Sequence, residues 1–178
     1  MCVNEAFIFD GEGGKQMELP KRKNIRLKNY DYGQNGAYFI TVCTKDRHEI
    51  LWNVGAAFGR PQESPPVSEY GTNIRNEIDR IGEIYDNVVV IDKYVIMPNH
   101  IHMIILLHGD DRRPKVAPTI SRIMQQFKGS VTKQIGFSLW QKLFHDHIIR
   151  NEQEYQNIWE YIDTNSLHWE EDCFYGKI

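Results

Sequence analysis

Residues 88–108 read VVVIDKYVIMPNHIHMIILLH, a nearly unbroken aliphatic run that limits the fold more than any other segment. Such a run fits strands in the middle of a sheet, because a strand covered on both faces does not alternate apolar with polar. Pro98 cannot donate into a strand ladder and Asn99 suits a turn, so the run divides into strands at 88–97 and 100–108 joined by a hairpin. The second of these carries His100 and His102. Side chains alternate along a strand, so the two imidazoles point the same way, roughly 6.5 Å apart at Cα for a rise of ~3.3 Å per residue. Ile104 and Leu106 share their face, and Ile101, Met103 and Ile105 take the other. A buried imidazole needs a partner for each ring nitrogen. Two side by side are either core histidines bonded to backbone or carboxylate groups, or ligands converging on one metal ion.

The remaining segments supply neighbours for these strands. Turn residues Gly33, Asn35 and Gly36 precede a β-branched and aromatic run from Tyr38 to Thr44, which reads as a first strand. Ser68 is placed to cap a helix whose Ile74, Ile78, Ile81 and Tyr85 recur every three or four residues. Thr119 is placed to cap another from about 120 to 135, with Ile120, Ile123, Phe127 and Val131 on one side. LFHDHIIRN at 143–151 reads as a last strand, and Tyr155, Ile158, Trp159 and Ile162 mark a further helix. The resulting order is βαββαβ plus one appended helix, the α+β ferredoxin-like arrangement. It places helices on one face of an antiparallel sheet and leaves the other face available. Residues 1–20 read as a flexible N-terminal tail and 21–178 as a single domain, in keeping with 178 residues in all.

Composition excludes several classes of function. No apolar stretch reaches the ~20 residues that span a bilayer, and the N-terminus MCVNEAFIFDGEGG lacks the basic start and apolar centre of a signal peptide. A cytoplasmic protein is expected. Cys2, Cys43 and Cys173 are too few and too scattered for a disulfide framework or a cysteine zinc cage. The net charge of -3 conceals a segregation. Arg112, Arg113, Lys115, Arg122, Lys128, Lys133, Lys142 and Arg150 face one acid, Asp146, over residues 112–150, whereas residues 151–178 are acidic. A second basic cluster, KRKNIRLK, contains Lys21, Arg22, Lys23 and Arg26. Clustered cations of this kind make either a local phosphate-binding surface or solvated helix faces.

One more pair bears on chemistry. Tyr161 and Asn165 in EYIDTN are four apart and share a helical face. A phenol there is an oxygen nucleophile, and a carboxamide oxygen is a hard neutral ligand of the kind Mg²⁺ or Mn²⁺ accepts. The plainer alternative makes Tyr161 one more packed aromatic and Asn165 the helix C-cap.

At these residues the chain resembles a known family. MPNHIHMI matches the histidine–hydrophobe–histidine (HUH) motif of single-tyrosine transposases of the insertion-sequence-200 type. FHDHIIRNEQEYQNIWEYIDTN resembles the last strand and nucleophile helix of their REP-associated branch, the REP-associated tyrosine transposases. DYGQNGAYFITVCTKDR and IMQQFKGSVTKQIG are similar to other family segments, so the resemblance extends over about residues 25–170. It implies a divalent metal, Mg²⁺ or Mn²⁺, on His100 and His102 with Asn165 as a third ligand, and Tyr161 as nucleophile. The implied reaction is nicking and strand transfer of single-stranded DNA through a 5′-phosphotyrosine, at hairpin-flanked sites. Lys21, Arg22, Lys23, Arg26, Arg122, Lys128, Lys133, His147 and Arg150 are the candidate DNA contacts, and a homodimer is implied as well, with Tyr161 serving either its own chain or the partner. Family members often have Asn-Pro after the nucleophile helix, where this chain has Asn165-Ser166. Two other readings remain open: a non-catalytic hairpin-binding protein on the same fold, and a zinc hydrolase using His145 and His147 with the first pair.

Overall fold

The computed structural model describes residues 33–53, 67–86, 88–108 and 118–176. The expected tail at 1–20 and the cations Lys21, Arg22, Lys23 and Arg26 lie outside these residues, as does most of the connections at 53–67 and 109–118. The elements follow the expected order: β1 Gly36–Cys43, α1 Glu69–Ile84, β2 Val89–Ile96, β3 His100–Leu107, α2 Ile120–Ile135, β4 His145–Ile149 and α3 Glu152–Thr164.

The aliphatic run becomes the middle of the sheet. β3 pairs antiparallel with β2 on one side and β1 on the other, and β4 adds beyond β1, giving the order β2-β3-β1-β4. Pro98 and Asn99 break the run as expected, and the Met97 N–H donates to the His100 carbonyl at 2.8 Å to close the hairpin. Each helix begins on a side-chain cap: Ser68 accepts from the Gly71 N–H, Thr119 from Arg122 and Asn151 from Glu154. α2 stops at Gly136, whose φ of 84° is left-handed and suits a residue without Cβ.

One face of the sheet carries the main core. Tyr38, Ile40 and Val42 of β1 and Ile101, Met103 and Ile105 of β3 pack against Ile74, Ile78 and Ile81 of α1 and Ile120, Ile123, Phe127 and Val131 of α2. Each such side chain contributes roughly 1.5–3 kcal/mol on burial.

The second face is not left available, which corrects the sequence expectation. α3 lies across it, with Ile162 packed on Ile104 and Ile149 and with Phe39, Val95 and Leu106 around them. The cause is the composition of β3 itself, because Ile104 and Leu106 continue the histidine face with apolar surface that needs cover. Polar ties fix the helix laterally: Lys93 donates to Asp163 at 2.5 Å and sits 3.6 Å above the Trp159 ring, and Tyr155 donates to Asp92. Past α3 the chain tightens into a 3₁₀ segment, Asn165–Glu171, that buries Trp169 against Trp52 and Met97. Among the described residues no helix is long and apolar enough to cross a membrane.

Candidate active site

The start of β3 and the end of α3 meet on the second face. His100 and His102 are buried there, at 0 % and 3 % exposure. Their Nε2 atoms are 3.0 Å apart, and the Tyr161 hydroxyl lies 3.2 Å from His102 Nε2. Three polar atoms from segments about sixty residues apart therefore converge on one point, within a single chain. Tyr161 itself remains 37 % exposed.

Neighbouring side chains set the ring orientations. His100 Nδ1 is 2.8 Å from Asn99 Oδ1, and the Asn99 amide nitrogen donates to the Phe174 carbonyl at 3.0 Å. That second bond turns Oδ1 toward the ring, which assigns the proton to His100 Nδ1 and leaves its Nε2 as a lone pair. His102 Nδ1 is 2.8 Å from the Thr41 hydroxyl, which can accept from it in the same way. Phe39 stacks on the His102 ring at 5.1 Å, and Phe174 lies 4.6 Å from His100. Burial pushes the His102 imidazole down to about 3 and the His100 imidazole well below its ordinary value, with the neighbouring His102 and then Arg47 adding to the shift of His100. Both rings are thus neutral at physiological pH, the state in which imidazole binds a metal.

Two observations bear on whether a divalent cation fits. His100, His102 and Asp172 form a cluster whose ligand atoms all lie within 4.8 Å of one another. Asn165 is 4 % exposed, and neither its carboxamide oxygen nor its nitrogen has a partner among the described residues. Two convergent lone pairs and a carboxylate suit a cation, and the buried Asn165 carboxamide, one helical turn beyond Tyr161, is left costly without a partner among the described residues. The donor set therefore fits a divalent metal ion. Asp172 was not apparent from the sequence. It lies beyond α3 in a run of acids, EED, that reads as surface, and only the 3₁₀ segment carries it back to β3. Asn99 and Thr41 were missed as ring partners, although strand alternation puts Thr41 on the histidine face once its register is known: it sits opposite His102.

The second H-x-H pair does not join the cluster. His145 and His147 occupy the exposed edge strand β4, opposite Thr41 and Phe39 respectively, and so point to the same side as His102. His147 is 2.7 Å from Glu154, whose carboxylate is held below its ordinary range by the Arg150 backbone N–H and then by His147. The four-histidine zinc site is not assembled, because the cluster among the described residues consists of His100, His102 and Asp172 alone.

The candidate DNA contacts are dispersed. Arg122 and Lys133 are exposed on α2, across the sheet from the histidines. Lys128 directs its ammonium into the molecule, donating to the Gln141 carbonyl at 2.6 Å and to that of Lys142 at 3.1 Å. Arg150 is exposed beside the α3 N-cap.

No family model matches the chain. A protein of Haemophilus influenzae with no assigned function is 32 % identical over 174 residues, covering 86 % of this chain and 93 % of the other. A second Haemophilus influenzae protein, provisionally named a REP-associated tyrosine transposase, is 23 % identical over 152 residues, covering 79 % and 77 %. Among solved structures, a REP-associated tyrosine transposase bound to a REP hairpin superposes with a TM-score of 0.58 at 23 % identity, covering 86 % of this chain and 76 % of that one. The chain thus shares its fold with a REP-associated tyrosine transposase and is similar in sequence to a protein of that name, and it sets paired histidines facing a tyrosine.

Proposed function

We propose that this chain nicks and rejoins single-stranded DNA, with Tyr161 as nucleophile and a divalent metal held by His100 and His102. The observation that carries the reading is the position of the Tyr161 hydroxyl, 3.2 Å from an imidazole nitrogen that is itself 3.0 Å from a second. Asp172 and the unsatisfied Asn165 carboxamide would complete the ligand set. Mg²⁺ or Mn²⁺ bound there would polarise a non-bridging oxygen of the scissile phosphate.

The protein's own groups do the rest. Asn99 and Thr41 hold both rings by their Nδ1 atoms, so Nε2 is directed to the reacting point. Burial keeps the rings uncharged and available as ligands. Phe39 supports His102 from one side and meets Tyr161 edge-on at 6.2 Å, which limits the rotation of the phenol. The Tyr161 oxygen attacks phosphorus, the P–O3′ bond breaks, and a 5′-phosphotyrosine and a free 3′-hydroxyl result. The phenolic proton leaves to solvent, to which Tyr161 is open, and the departing 3′-oxygen takes up a proton from solvent to become the hydroxyl. Attack on the phosphotyrosine by a 3′-hydroxyl reverses the step and restores the tyrosine, so joining requires no nucleotide cofactor.

Hairpin-flanked DNA is the proposed substrate, and the fold shared with a transposase bound to a REP hairpin supports it. Arg122, Lys133 and Arg150 are proposed to contact phosphates outside the reacting site, with the steep salt dependence such contacts bring. Tyr161 reaches the histidines of its own chain, which supports nicking by one chain acting alone; a homodimer, if formed, would carry two complete sites. The reading is tested with a purified protein and a labelled oligonucleotide carrying a hairpin and a single-stranded flank. Nicking is expected in Mn²⁺ or Mg²⁺, absent with chelator, and lost in His102→Ala. Nicking that persists in chelator or in the variant would overturn the metal assignment.

A further inference from the structure

The segment Thr44–Lys45–Asp46–Arg47 leaves β1 beside the histidines in an unusual conformation. Asp46 has φ 54° and ψ 19°, and Arg47 has φ 57°. Side chains with a Cβ rarely adopt the left-handed region, and two in succession persist only where surrounding contacts impose them. Those contacts are present. The Thr44 N–H and hydroxyl both donate to the Asn99 carbonyl, at 2.9 and 3.0 Å, and the Lys45 N–H donates to Leu139 at 2.7 Å. The turn is thereby tied to the residue that orients His100.

The consequence is a cation held near the site. The Arg47 guanidinium carbon lies 4.7 Å from the centre of the Phe174 ring, and that ring lies 4.6 Å from His100. Among the described residues the guanidinium makes no hydrogen bond and no ion pair, not even with Asp172 of the cluster, so its donors are uncommitted. An arginine with unused donors, half-buried against the aromatic ring that packs on His100, is arranged to receive an anion rather than to satisfy a carboxylate of its own chain.

We propose that Arg47 is a catalytic residue of this site, binding a non-bridging oxygen of the scissile phosphodiester through its guanidinium fork. The proposal rests on the functional reading given above and adds a residue to it. Arg47 keeps its protons throughout. It neutralises charge on the phosphate as the Tyr161 oxygen bonds to phosphorus and the 3′-oxygen departs, an effect that grows toward the transition state.

Arg47→Gln and Arg47→Lys test this with two readouts. The first uses a Tyr161→Phe background without metal and a fluorescent hairpin oligonucleotide with a single-stranded flank. Arg47→Gln is expected to weaken binding and to reduce the magnitude of the slope of log K against log[salt] by about 0.7, with Arg47→Lys restoring the slope. The second is nicking by the chain with Tyr161 intact, expected to fall about 100-fold in Arg47→Gln, with only partial recovery in Arg47→Lys because the fork is lost. An unchanged salt slope overturns the phosphate contact whether or not the protein nicks. A changed slope with unaltered nicking overturns the catalytic role. Failure of the unsubstituted chain to nick would count against the functional reading alone, since the salt slope reports on Arg47 independently.

Discussion

The two faces of β3 differ in a way that separates stability from chemistry. On one face Ile101, Met103 and Ile105 are fully buried against α1 and α2, with apolar partners throughout. On the other, the same strand carries His100 and His102, followed by Ile104 and Leu106 under α3. The first face is largely apolar, and its Tyr38 hydroxyl donates to the Gln34 carbonyl at 2.9 Å. The second contains two imidazoles and Thr41, bonded to one another or to Asn99, and an Asn165 carboxamide without partners among the described residues, all buried. Burying polar groups is costly, so gathering two imidazoles, a hydroxyl and a carboxamide on this face marks where stability has been given up for function, although the main core also holds an unbonded polar atom among the described residues, Trp140 Nε1.

The contrast makes opposite expectations for substitutions on the two sides. Ile105→Ala should cost about 2–5 kcal/mol by leaving a cavity among tightly packed neighbours, measured by urea unfolding, while nicking per folded molecule stays near normal. A loss of activity exceeding the loss of folded protein would mean that the two faces are coupled. Smaller and opposite in sign is Asn165→Leu. Replacing a carboxamide that lacks partners with an apolar side chain of similar size should stabilise the metal-free protein by about 1–3 kcal/mol, and it should lower Mn²⁺ affinity in a calorimetric titration. Destabilisation of the metal-free protein by this change would show that Asn165 is bonded in solution and is not held open for a ligand.

Much of this division was legible in the sequence. The hairpin break at Pro98 and Asn99, the caps Ser68 and Thr119 and the alternation through HIHMIILL follow from local rules, and each was found in place. The pairing of His100 with His102 followed from the same alternation, which needs no knowledge of the neighbours. What did not follow was anything that depends on how separate elements meet. The sequence marks α3 as amphipathic, yet which sheet face it covers depends on the apolar surface left at Ile104 and Leu106 after α1 and α2 have packed. Asp172 reads as one of several surface acids until the 3₁₀ segment folds it back to the histidines. Lys128 reads as a free cation of a basic helix, and only the path of the chain through Gln141 and Lys142 supplies the carbonyls it binds.

The central claim is that the Tyr161 hydroxyl and the paired imidazoles form one reacting site within a single chain. Its most direct measurement is mass-spectrometric mapping of the peptide that becomes covalently joined to DNA when the protein is incubated with a hairpin-flanked oligonucleotide and Mn²⁺. The account predicts a nucleotide adduct on Tyr161, carried through a 5′-phosphate and absent in Tyr161→Phe. An adduct on another residue, or one that survives in Tyr161→Phe, would contradict it.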